Sequence, residues 1–148
     1  MSSEVAVVGD TGALLAYYFG DEPDHEACRL ALKTVGHLVI SPLVLAELDY
    51  LASTGVSPEA AMSVLDDIID RQAVGRFEIP EVGPHLPAAR VVLKRYRDLN
   101  IGLTDAVNVA LAAEFRTNAI FTVDRRHFRA VRPLTDHPAF RLLPDDLE

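Results

Sequence analysis

Four carboxylates stand where an acidic side chain is either costly or well placed for chemistry: Asp10, Glu47, Asp105 and Asp124. Asp10 follows the apolar run Val5-Ala6-Val7-Val8, and Asp124 follows Ala119-Ile120-Phe121-Thr122-Val123. In open parallel sheets functional groups gather at the carboxyl ends of strands, so two strand-end aspartates can meet at one sheet edge. Glu47 lies among Val44, Leu45, Ala46, Leu48 and Leu51, surroundings in which an unpaired charge is expensive to bury. Asp105 occupies the first turn of an apolar helical segment, where the helix N-terminus favours negative charge, and Asn108 lies one turn on. Taken singly, each acid has a structural account: a turn or cap for the aspartates, an arginine partner for Glu47. Taken together they form an oxygen-only donor set, with no cysteine and no histidine at ligand spacing. Such a set suits Mg2+, with Mn2+ as the alternative, rather than zinc.

The elements that must carry these residues are legible in the apolar pattern. Residues 5–8, 38–40 and 119–123 are short apolar runs rich in β-branched side chains, which predicts buried strands. Weaker strand signals lie at 77–79 and at 140–143, the latter as an edge. Ser41-Pro42 and Ser57-Pro58 are helix starts, with serine as N-cap and proline in the first turn. They predict helices over 42–52 and 58–71, the first placing Leu43, Glu47 and Leu51 on one face. Further helices are expected over 13–19, from 25 to 35, over 87–98, and over 105–115 with Thr104 as its cap. The last is apolar almost all round and should be buried. Strands alternating with helices predict an α/β fold with a mainly parallel sheet.

Composition sets limits on function. The 148 residues suit one domain, 1–148, and a hydrophobic share of 49% excludes disorder. No apolar run reaches the roughly 20 residues of a membrane span. Met1-Ser2-Ser3-Glu4 offers no basic leader region, and the lone Cys28 fits a reducing compartment, so a cytoplasmic protein is expected. The net charge of -8 opposes nucleic-acid binding in general. Carboxylates that hold a cation do not count against phosphate, however. The basic residues are also grouped, as Arg90, Lys94, Arg95 and Arg97 and as Arg125, Arg126, His127, Arg129 and Arg132.

The residues around the four acids resemble the motifs of PIN domains. Asp10-Thr11-Gly12-Ala13-Leu14-Leu15-Ala16 is similar to the opening strand-end motif, and Ser41-Pro42-Leu43-Val44-Leu45-Ala46-Glu47-Leu48 to the second. Leu103-Thr104-Asp105-Ala106-Val107-Asn108-Val109-Ala110 resembles the third, and Thr122-Val123-Asp124-Arg125-Arg126-His127-Phe128 the fourth. The motifs occur in order over nearly the whole chain and look most like those of VapC-type toxins. Gly12 stands where serine is common, and Asn108 where an apolar residue is common. The resemblance implies a three-layer α/β/α fold and a metal-dependent endoribonuclease of a type II toxin–antitoxin pair, acting on tRNA, rRNA or mRNA. Asp10 and Asp105 would be the principal metal ligands, with Glu47 and Asp124 completing the site directly or through water. It also implies a cognate antitoxin and homodimerisation, with apolar residues of the 42–52 and 58–71 helices as candidate contacts.

A divalent ion lowers the pKa of water and offsets charge building on phosphate, so in-line hydrolysis leaving 5′-phosphate and 3′-hydroxyl ends is expected. Unpaired or looped RNA fits a recessed acidic site. Several neighbours have two readings. Thr11 either orients Asp10 or receives phosphate, or else caps a helix; Asn108 is either a donor to the site or a tolerated polar residue. Arg125 and Arg126 contact phosphate or sit in a solvated turn, Asp98 lines a rim or is solvated, and His127 is the weaker choice for a general base. Asp66, Asp67 and Asp70 read as the exposed face of the 58–71 helix. Two competing classes remain: a Mg2+-binding receiver-like domain, and a catalytically silent module whose acidic cleft captures arginine. The receiver reading wants paired acids and a lysine after a late strand, whereas the lysines are Lys33 and Lys94.

Overall fold

The central strands are apolar because helices cover both of their faces. A computed structural model describes residues 5–147; Met1 to Glu4, the segment read as lacking a leader, lie outside them. Five strands form one sheet: β1 (Ala6–Gly9), β2 (His37–Ile40), β3 (Phe77–Glu78), β4 (Ala119–Phe121) and β5 (Arg141–Leu143). Their order is β3-β2-β1-β4-β5 and every pairing is parallel. Side chains alternate between two cores, as strand geometry requires. Val7, Leu38, Ile40, Phe121 and Leu143 face one side. Ala6, Val8, Val39, Ile120 and Leu142 face the other.

The first face is covered by α1 (Thr11–Tyr18), α2 (His25–Lys33), α3 (Pro42–Gly55) and α4 (Pro58–Ala73). The second is covered by α5 (Leu86–Arg95), α6 (Leu103–Glu114) and α7 (Arg125–Ala130). The result is the expected three-layer α/β/α arrangement, with a sheet that is wholly parallel. Among the described residues no helix is long and apolar enough to cross a membrane.

Both serine caps form as expected. Ser41 Oγ accepts from the backbone N–H of Leu43 at 3.1 Å, and Ser57 Oγ from that of Ala60 at 3.0 Å. Three expectations need correction. The helix expected over 87–98 stops at Arg95 and passes into a 3-10 turn, Arg97–Leu99, which ends on left-handed Asn100 with φ of 55°. The helix carrying Asp105 begins at Leu103 with Gly102 as its N-cap, so Thr104 lies inside the first turn. That position frees the Thr104 hydroxyl for a partner across the cleft. Asp67, expected in solvent, accepts from the Tyr18 hydroxyl at 2.6 Å and pairs with Arg71 at 3.0 Å, fastening α4 to α1.

The chain leaves β1 toward β2 on one side and later returns to β4 on the other, so the β1–β4 boundary is where the winding reverses. A cleft opens at the carboxyl ends of strands at such a point. Asp10 lies there directly after β1, and its backbone N–H donates to Phe121 of β4 at 2.8 Å. Gly12 in the next turn allows close packing, because a Cβ there would meet Val123 Cγ2 at 2.9 Å.

Candidate active site

Two strand ends and two helices bring the four acids to one cleft. Asp10 stands at the N-cap of α1 and Asp124 at that of α7; Asp105 is in the first turn of α6 and Glu47 in the second turn of α3. Asp10 is buried, with 7% of its surface exposed. Its Oδ2 accepts from the Thr122 hydroxyl at 2.9 Å, and its Oδ1 from Asn108 Nδ2 at 3.4 Å. The Thr122 oxygen in turn accepts from the backbone N–H of Asp124 at 2.9 Å. One hydroxyl therefore ties the first acid to the fourth.

Glu47 is held differently from what its sequence neighbours suggested. The buried face of α3 is Val44, Leu48 and Ala52, whereas Glu47 is exposed toward the cleft. Avoided burial is thus not what gives it a partner. Its Oε1 accepts from the Thr11 hydroxyl at 2.6 Å, and its Oε2 from the Thr104 hydroxyl at 3.4 Å. The arginine partner considered for Glu47 is not found among the described residues.

The tightest cluster is Asp105, Asp124 and His127, whose ligand-type atoms all lie within 4.8 Å of one another. His127 Nδ1 is 3.0 Å from Asp124 Oδ2 and 3.5 Å from Asp105 Oδ2. The backbone N–H of His127 also donates to Asp124 Oδ1 at 3.1 Å, the helix-capping bond of α7. The sequence reading that no histidine sits at ligand spacing is therefore wrong: Asp124 and His127 share a face across the first turn. The signal was present as aspartate and histidine three apart at a helix start, but it carries weight only when Asp105 arrives from another element.

Electrostatics reflect the crowding of the four acids. Burial, followed by the charges of Asp10 and Asp124, pushes the Asp105 carboxyl up from an ordinary 3.8 to about 7. Burial also raises Asp10, opposed by the Thr122 hydroxyl and the backbone of Thr11, with the charges of Asp124 and Glu47 adding to the rise. Crowded carboxylates with raised proton affinity attract a cation. The buried Asn108 Oδ1 has no hydrogen-bond partner among the described residues, an expense usually met by water or an ion. With oxygen donors dominant, the residues fit a divalent metal ion.

The remaining expected site residues are placed as follows. The Thr11 hydroxyl donates to Glu47, while its backbone hydrogen-bonds Asp10. Asn108 is fully buried and donates to Asp10. Arg125 pairs with Asp145 at 2.5 Å and reaches Asp24 at 3.5 Å, which braces the chain end. Arg126 and Asp98 are exposed. The receiver-like reading fails on position: Lys33 lies in α2 and Lys94 in α5, and both oxygens of Asp10 are engaged within the protein.

Comparison with known proteins agrees with this geometry. The family model "PIN domain" matches residues 7–133. The chain is 46% identical over 128 residues to Ribonuclease VapC26 of Mycobacterium tuberculosis, covering 84% of this chain and 91% of that relative. In structure it is similar to Mycobacterium tuberculosis VapC20, a sarcin-ricin loop cleaving toxin. The TM-score is 0.71 at 16% identity, covering 81% of this chain and 91% of the other. It is also similar to VapBC2 of Rickettsia felis bound to a promoter DNA fragment, with a TM-score of 0.63 at 22% identity, covering 88% and 96%. The last two likenesses bear on the fold alone. Matched along its length in sequence, the chain belongs to the PIN-domain family, within its VapC group.

Proposed function

We propose that this chain is a Mg2+-dependent endoribonuclease, the toxin of a toxin–antitoxin pair, acting on unpaired or looped RNA. The reading is carried by the convergence of Asp10, Glu47, Asp105 and Asp124 at the β1–β4 switch point, in a chain 46% identical to a ribonuclease. Mn2+ is the alternative ion. Asp105 and Asp124 would hold it most directly, with Asp10 and Glu47 bordering the same cleft. A bound divalent ion supplies Lewis acidity, lowering the pKa of water and offsetting charge on the phosphate.

The protein's own residues set the geometry for that chemistry. Thr122 holds Asp10 and Thr11 holds Glu47 by short hydrogen bonds, and Asn108 and Thr104 reach their other oxygens at 3.4 Å. Fixed carboxylates lose little entropy when they engage a cation or orient a water toward phosphorus. The exposed Arg90, Lys94, Arg95 and Arg97, on α5 and the turn after it, supply charge for the RNA backbone. A small cognate antitoxin with a basic segment would complement the acidic cleft.

Incubation of the purified chain with a labelled stem-loop RNA tests the reading. Cleavage should stop with EDTA, return with Mg2+, and be absent in Asp10→Asn. Undiminished cleavage in EDTA, or full activity of Asp10→Asn, would refute it.

A further inference from the structure

His127 is the one residue of the tight cluster that is not a carboxylate. We propose that His127 Nδ1 is a ligand of the divalent ion held by Asp105 and Asp124, making the site a mixed nitrogen–oxygen one that binds Mn2+ more tightly, relative to Mg2+, than its carboxylates alone would. This rests on the reading above that the cleft holds such an ion.

The geometry favours a ligand over a simple hydrogen-bond donor. A proton on Nδ1 serves one acceptor well, Asp124 Oδ2 at 3.0 Å, and leaves Asp105 Oδ2 at 3.5 Å beyond a good bond. A cation serves all three atoms at once. Nδ1 lies 3.0 Å from one carboxylate oxygen and 3.5 Å from the other, and ligand-type atoms of all three residues lie within 4.8 Å of one another, near enough to share one ion. The imidazole is also placed from behind. Its backbone N–H is bonded to Asp124, and the next residue, Phe128, is 2% exposed and packs edge-on against Phe140 at 5.9 Å. The ring therefore emerges from an anchored turn, three-quarters covered, beside two carboxylates. The unpartnered buried Oδ1 of Asn108, one helical turn after Asp105 and on an amide that donates to Asp10, is an independent sign that the cleft takes a polar ligand.

The consequence is selectivity. Mg2+ prefers oxygen donors and releases water reluctantly, whereas imidazole suits first-row transition ions, so one nitrogen ligand shifts the balance toward Mn2+. A histidine that only orients Asp124 would leave that balance unchanged.

Mn2+ itself is the probe. The full-length chain, freed of metal by chelation, is titrated with Mn2+ while the resonance of free Mn2+ is followed by electron paramagnetic resonance. Pulsed measurement on the bound ion then seeks modulation from a coordinated 14N nucleus. The wild type should show it. His127→Ala and His127→Gln should lose it, bind Mn2+ about tenfold more weakly or worse, and surrender Mn2+ more readily to Mg2+ competition. Circular dichroism shows whether each variant is folded, and the wild-type spectrum decides even if one is not. Bound Mn2+ without nitrogen coupling, or coupling that persists in His127→Ala, would overturn the proposal while leaving the acidic site intact. A wild type that binds no Mn2+ would overturn both.

Discussion

Replacing Asp105 with asparagine should stabilise the metal-free protein while abolishing its activity. The substitution keeps the shape of the side chain and removes one charge from a cleft that holds several. In the folded chain the Asp105 carboxyl is raised from 3.8 to about 7, chiefly by burial and then by Asp10 and Asp124. A carboxyl whose folded value is raised binds its proton more tightly folded than unfolded. Its contribution is therefore fully present below about 3.8 and is lost as pH rises toward 7. The difference is about 3 units at about 1.4 kcal/mol each, a ceiling near 4 kcal/mol. Asp105 is 20% exposed and coupled to its neighbours, so about half of that, roughly 2 kcal/mol, is expected at pH 8.

For a domain of this length that corresponds to a Tm increase of about 4–8 °C. The assay is thermal unfolding of both proteins in EDTA at pH 8, 7, 6 and 5. The gain from Asp105→Asn should be largest at pH 8 and shrink steadily toward pH 5. In saturating Mg2+ the order reverses, since an ion bound at 100 times its Kd adds about 2.7 kcal/mol to the wild type and little to the variant. A variant less stable than wild type at pH 8 in EDTA, or a difference independent of pH, would refute the crowded-carboxylate account.

Other outcomes follow from single contacts. Thr122→Val removes the hydroxyl that holds Asp10 and the Asp124 backbone; we expect a loss of about 1–3 kcal/mol and cleavage reduced by at least about tenfold, measured by denaturant unfolding and a cleavage time course. Arg125→Ala breaks exposed pairs with Asp145 and Asp24, so stability should fall by less than about 1 kcal/mol and kcat should stay within about twofold of wild type, whereas a phosphate-binding role would show as a raised KM. Charge reversal at Arg90, Lys94 and Arg95 should weaken RNA binding and flatten its salt dependence, with Mn2+ affinity unchanged; equal binding at low salt would remove α5 as the RNA-facing surface.

Much of the fold was readable because its determinants are local. Ser41-Pro42 and Ser57-Pro58 carry their own capping chemistry, and strands covered on both faces need continuous apolar runs. The helix boundary at Leu103 was misread because Thr104 is a good cap by type, while its hydroxyl is drawn instead toward Glu47. Glu47 is a site residue for a reason other than the one its neighbours suggest. Its apolar neighbours suggested burial, yet helical geometry turns Val44 and Leu48 inward and leaves Glu47 facing the cleft. His127 carries little signal in the sequence because its partner Asp105 is 22 positions earlier, and only the fold brings them together.

The way the cleft acids are held explains why they remain available to a cation. Elsewhere several carboxylates pair with arginine: Glu26 with Arg29, Asp67 with Arg71, Asp145 with Arg125 and Asp146 with Arg129. In the cleft, among the described residues, no arginine or lysine meets Asp10, Glu47, Asp105 or Asp124. Threonine hydroxyls, an amide and an imidazole hold them instead. An arginine would fix a carboxylate by neutralising it, leaving little attraction for a metal ion. A hydroxyl fixes the carboxylate and leaves its charge in place. Burial first, and then the unneutralised charges of Asp10 and Asp124, raise the carboxyl of Asp105, so the same buried, crowded setting that weakens the metal-free fold provides the affinity for a divalent ion. An arginine introduced at Thr104, within reach of Glu47, should on this reasoning stabilise the metal-free chain and weaken Mn2+ binding together; a gain in both would show that position, not charge, limits the site.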